Sequence, residues 1–472
     1  MRTTYRKRRL WLTVPGEAAV QYYPVVLSAE KALLYRFTGR WDTAEQLLRT
    51  NLAWAERSDD PAAGIDARRN LSSFIILRGE FGEAQGYVER AIADCHALGD
   101  RSNYSRLLEH LGFIHASQGR NDRAMACYVE SLAIAEELGE AVSIAHTAGL
   151  LGVVYHNMAR YDDAMAQYRR QLAIAQQTGD SYRMSIAYGN IGNVYIDLRD
   201  FPKALECHQR SLHHSRIVGD RLSMGFSYGN IAIVHQLTGE YDLALEGHRK
   251  QLGIAQDLGD QQTIGAALVN IGTLQYDLGQ FDQAEASFTR QLEIARQFRD
   301  RGIESFGTYM SALVRMQRRD YAAADRLLQQ AIAIGRDIQL NHYLPDYLRQ
   351  LATLYCELGN YGDAAALNDE ARAIARQTGN DAAACLCSVL DLKLKRAMHQ
   401  LNDGGAAAGL RALMEKSPGD EFRAQLLYEL WSITRDPGTG EQALRMLREL
   451  YRLNKKHDYR LKIDELAAAG PS

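Results

Sequence analysis

Residues 181–220 read SYRMSIAYGNIGNVYIDLRDFPKALECHQRSLHHSRIVGD. Two helices are written into this stretch. Its first half carries apolar residues three and four apart, the period of a helix with one buried face. That pattern stops near Arg199-Asp200, and Pro202 falls in the first turn of a second helix, where a missing N–H does no harm. The second helix closes at Gly219, a residue suited to a left-handed helix end. Asp220 then stands where it can cap the next helix or complement its dipole.

The same unit recurs every forty residues. Ala44, Ala84, Ala124, Ala164, Ala204, Ala244, Ala284, Ala324 and Ala364 fall in one column. Three residues earlier stand Trp41, Phe81, Asn121, Tyr161, Phe201, Tyr241, Phe281, Tyr321 and Tyr361, mostly aromatic. Gly39, Gly79, Gly119, Gly239, Gly279 and Gly359 precede the second helix, and Gly99, Gly139, Gly179, Gly219, Gly259 and Gly379 end a unit. Neither helix can hide its apolar face alone, so neighbouring hairpins must stack on one another. The register slips after residue 380, where two further helix pairs and a final capping helix are expected.

Composition agrees with a helical protein. Eight prolines against 38 glycines among 472 residues place the glycines as punctuation between helices. The 55 Lys+Arg and 58 Asp+Glu nearly balance, which argues against a strongly basic nucleic-acid binder. No stretch approaches the roughly 18 apolar residues of a membrane span. Cys95, Cys127, Cys207, Cys356, Cys385 and Cys387 show no disulfide-framework spacing, so a reduced, cytoplasmic protein is expected. Residues 1–22, with five basic residues in the first nine, read as a solvated arm.

These columns resemble the tetratricopeptide repeat. One unit supplies Tyr188, Ile191-Gly192, Tyr195, Ala204 and His208; another gives Leu151-Gly152, Tyr155, Ala164 and Tyr168; a third gives Ile271-Gly272, Gln275, Ala284 and Phe288. Within that superfamily the forty-residue Pins/LGN-like repeats are closest, through Gly189-Asn190-Ile191-Gly192-Asn193 and Leu172-Ala173-Ile174-Ala175 before a Gly-Asp turn. Bacterial MalT-like regulators are similar. The resemblance implies an all-α, right-handed superhelical solenoid of about eleven antiparallel helix pairs. Nine repeats would span 23–380, and 381–472 would hold two degenerate repeats and the cap.

Catalytic motifs are missing from the sequence: no phosphate loop, no His-Glu-x2-His, no Gly-x-Ser-x-Gly and no Cys-x2-Cys. No cofactor or metal is therefore expected. His208 and His248 occupy the column of Tyr128, Tyr168 and Phe288, which reads as inter-helix packing, and adjacent His213 and His214 point apart on a helix. The informative polar feature is Asn70, Asn190, Asn230 and Asn270 in one column, with Asn157 and Asn193 extending it. The resemblance places that face of the first helix in a concave groove. There an amide, with one acceptor and two donors, can grip a peptide backbone without demanding a side chain. Ile186 and Phe226, in the column before it, are candidate apolar anchors or core residues.

The expected function is a non-enzymatic scaffold binding a peptide or helical segment of a protein partner. The alternative is a regulatory module of a bacterial signalling system that binds a small ligand or signalling peptide. No nucleic acid or membrane is expected among the partners.

Overall fold

The computed structural model describes residues 31–32, 41–58, 60–298, 300–415 and 419–469. The expected arm at 1–22 lies outside them. Within the described residues there are 22 helices and no strand. The first helices of successive pairs are α2 (Pro61–Leu77), α4 (Arg101–Ser117), α6 (Ala141–Asn157), α8 (Ser181–Asp197) and α10 (Arg221–Leu237). They continue with α12 (Gln261–Asp277), α14 (Arg301–Gln317), α16 (Leu344–Glu357), α18 (Asp381–Ala397) and α20 (Asp420–Thr434). Their partners are α3 (Phe81–Leu98), α5 (Asn121–Glu137), α7 (Tyr161–Thr178), α9 (Phe201–Val218) and α11 (Tyr241–Leu258). After these come α13 (Phe281–Gln297), α15 (Tyr321–Asp337), α17 (Tyr361–Gln377), α19 (Asp403–Glu415) and α21 (Pro437–Asn454). Helix α1 (Trp41–Ala55) precedes the first complete pair and α22 (His457–Ala468) follows the last.

The helix ends form as the residues dictate. Gly219 is left-handed at φ 73° and ends α9, and Asp220 accepts a hydrogen bond from the Ser223 amide at 3.2 Å to open α10. Asp100, Asp180, Asp260 and Asp300 cap their helices in the same way. Between the helices of a pair, Ala159, Arg199 and Arg319 adopt the left-handed conformation that Gly79, Gly119 and Gly239 adopt in theirs.

The alanine column is the tightest point of each repeat. All nine side chains, from Ala44 to Ala364, are 0% exposed. Four residues on, Tyr128, Tyr168, His208 and Phe288 lie against glycines of the partner helix: Gly112, Gly152, Gly192 and Gly272. Where α10 carries Ala232 instead of a glycine, α11 carries Gly247, and a methyl group there would come within 2.8 Å of the Ala232 Cβ. The close approach survives because the small residue has changed helices.

The chain divides into two compact units, one ending at Ser227 and one beginning at Tyr228. Helix α10 carries the boundary. In the first unit successive first helices touch, α2 with α4, α4 with α6 and α6 with α8. In the second, α12 touches α14 and α16 touches α18. Successive second helices do not pack to that extent among the described residues. The first helices therefore line the more tightly curved side within each unit.

Candidate functional site

Every candidate partner-binding residue lies on a first helix: Asn70 on α2, Asn157 on α6, Ile186, Asn190 and Asn193 on α8, Phe226 and Asn230 on α10, and Asn270 on α12. None caps a helix. The first unit holds Asn70, Asn157, Ile186, Asn190, Asn193 and Phe226, and the second holds Asn230 and Asn270. Asn70, Asn190, Asn193, Asn230 and Asn270 are half-buried, and Asn157 is exposed at the end of its helix. Asn193 and Asn230 already have partners within the protein.

Phe226 is half exposed and is not a core residue; Ile186, one repeat earlier in the same register position, is half-buried. They have company that the sequence reading passed over. Phe113, Val142, Val153, Tyr182, Leu222 and Phe226 are 38–54% exposed, all on first helices of the first unit. Val142, Tyr182 and Leu222 fall forty residues apart, and each stands four residues before His146, Ile186 or Phe226, so they share its helix face. That column was the available signal: three apolar residues in register where the core is already filled by other positions.

The polar part of this face is concentrated on α2, α4 and α6. Asp66 pairs with Arg69 at 2.8 Å, and the Arg69 guanidinium also donates to the side-chain Oδ1 of Asn103. Glu109 is nearly buried. Its carboxylate accepts a hydrogen bond from the Thr147 hydroxyl at 2.5 Å and lies 3.7 Å from the His146 imidazole. Burial pushes the Glu109 pKa up, against the pull of His146 and Thr147. His110 touches the Ser72 hydroxyl at 3.2 Å and burial holds its pKa down to about 4, so it is neutral. In the first unit the charged groups of this face thus sit on α2–α6, the exposed apolar side chains run from α4 to α10, and the amides of Asn190 and Asn193 lie on α8.

His208 is wholly buried, both its ring nitrogens lack a hydrogen-bond partner, and its pKa is pushed down to about 4 by burial. That is a packing residue. His214 stacks on Tyr188 at 5.7 Å. Among the described residues no three His, Cys, Asp or Glu side chains gather as a metal site would require, and no helix is long and apolar enough to cross a membrane. A hollow of about 520 Å³ lies on the second helix α13 instead, lined by Asp282, Glu285, Ala286, Thr289, Arg290 and Glu293.

Comparison with known proteins agrees with the repeat. A family profile described as Tetratricopeptide repeat matches residues 143–216 and 223–297, and another of the same description matches 106–138 and 346–378. No curated protein matches the sequence. Among solved structures, the apo quorum sensor NprR from B. thuringiensis is similar over 83% of this chain and 98% of its own, at 14% identity and a TM-score of 0.52. A Rap protein complexed with competence and sporulation factor covers 76% of this chain and 99% of its own, at 15% identity and TM-score 0.51. The apo form of RapI is similar over 75% and 98%, at 15% and 0.52. At such identities these likenesses concern the fold.

Proposed function

We propose that this chain of tetratricopeptide repeats binds an extended peptide segment of a partner on the first-helix face of its first unit, and performs no chemistry on it. The observation that carries the reading is the exposed apolar set Val142, Tyr182, Leu222 and Phe226 on first helices of the same unit that carries the amides of Asn157, Asn190 and Asn193. Side chains of this size left in water, in register and on helices that also carry amides, suit a ligand that presents both backbone and apolar groups. Asn230 and Asn270 offer the same amide chemistry on the second unit. Each amide contact would contribute about 1 kcal/mol and each well-covered apolar anchor about 2 kcal/mol.

Of the similar structures, the Rap protein is complexed with competence and sporulation factor and NprR is a quorum sensor. A signalling-peptide sensor would use the same face, differing in where its peptide comes from. All six cysteines are free, which supports a reducing, cytoplasmic setting. The test is site-specific photo-crosslinking in cells. A photoreactive residue at Leu222 should yield protein or peptide adducts, while one at Ile217, exposed at the end of second helix α9, should not. Equal labelling at the two positions, or none at Leu222, would overturn the proposal.

A further inference from the structure

Eleven glycines have positive φ among the described residues. For nine of them a side chain would point into open space. Gly239 and Gly279 differ. A Cβ at Gly239 would lie 3.2 Å from the Leu453 backbone and 3.3 Å from Asn454, and one at Gly279 would lie 2.8 Å from the His457 ring. Both glycines sit in turns between the helices of a pair, α10–α11 and α12–α13. What covers them is the turn between α21 and α22, about 180 to 215 residues further along the chain.

Further contacts bring the same parts together. The His457 ring meets Phe281 edge-on at 5.4 Å, and Lys455 lies 3.5 Å from Asp242. Lys456, held at 2.7 Å by Glu421 of its own C-terminal segment, places its charge where it acts on Tyr241 and on Asp277, which accepts a hydrogen bond from Tyr241 at 3.3 Å. The covering turn is tight: Lys455 is left-handed at φ 53°, and the Asn454 side chain accepts from the Lys456 amide at 3.3 Å. The contact is incompletely filled, with a hollow of about 240 Å³ between residues 239–243 and 452–455.

We infer that the turn between α21 and α22 is a clasp that closes the second unit on itself, docking on the turns that open α11 and α13 and fixing the curvature of the repeats between. In a stack whose repeats touch only their neighbours, curvature is the sum of small rotations between repeats and drifts easily. A contact that joins repeats on the order of five apart fixes that sum at one stroke. The clasp rests on a few polar and aromatic side chains and an unfilled hollow, so it opens without unpacking any repeat. The inner face of the second unit, with Asn230 and Asn270, is held at one width while the clasp is shut.

The test is amide hydrogen exchange on the full chain, comparing Gly279→Asn with Gly359→Asn. Asparagine tolerates the left-handed conformation, and both glycines have it, at φ 75° and 79°, in equivalent turns. Only residue 279 has the clasp above it. Gly279→Asn should speed exchange across 452–468 tenfold or more, and Gly359→Asn should leave that segment unchanged. A second variant, His457→Ala, should speed exchange in the distant turn 278–281. Equal exchange across 452–468 in the two glycine variants, or a protected turn 278–281 in His457→Ala, would overturn the clasp.

Discussion

The ring of His208 lies against Gly192, so close that a methyl group at residue 192 would stand 2.6 Å from the ring Cε1. Gly152 and Tyr168 stand in the same relation, again at 2.6 Å. Replacing Gly152 by Ala should therefore destabilise the protein by about 1–3 kcal/mol, even though alanine is the better helix former. Urea unfolding measures the loss. Gly82→Ala, at a helical glycine with open space around it, should stabilise instead.

Acid should weaken the fold through its buried histidines. His208 has its pKa pushed down to about 4 by burial, against about 6.5 when unfolded. The sign follows from proton uptake: between these values the unfolded chain binds a proton that the native chain refuses. Stability from this group is thus full above pH 6.5 and falls as pH drops toward 4, by roughly 3 kcal/mol. His208→Phe, copying Phe288, should flatten urea midpoints over that range. An unchanged pH profile would contradict the burial argument.

Glu109 should behave in the opposite sense. Burial raises its pKa above the usual carboxylate value, so keeping it ionised at neutral pH costs stability. Glu109→Gln, which retains an acceptor for the Thr147 hydroxyl, should be more stable than the parent at pH 7. The gap should narrow toward pH 4, where the parent carboxyl is protonated. Thermal melts of the two proteins across that range test it.

Arg199 occupies, at φ 58°, the turn position held elsewhere by glycine. Arg199→Gly should raise stability by about 1 kcal/mol by relieving the left-handed strain. A loss would mean that the extra freedom of the unfolded chain outweighs that strain.

Much of the fold was legible in the sequence because each repeat is decided locally. The alanine column, the aromatic three residues before it and the Gly-Asp turn specify one helical hairpin, and stacking follows from its bare apolar face. The contacts around Gly239 and Gly279 were not legible. They join residues some 200 positions apart through the register-less C-terminal part, and no periodicity announces them. The candidate site was legible in part. The asparagine column marks one face of the first helices, while Val142, Tyr182 and Leu222 look in sequence like any other apolar helical residues, and only their exposure separates them from the core.

The most direct test of the central claim is affinity for a peptide selected on the intact protein from a displayed random library. Calorimetry would compare the parent with Tyr182→Ala, Phe226→Ala and, as a surface control, Ile217→Ala. Binding should be at least tenfold weaker for the first two, about 1.4 kcal/mol each, and unchanged for the control. A selected peptide that binds all four proteins equally would contradict the claim.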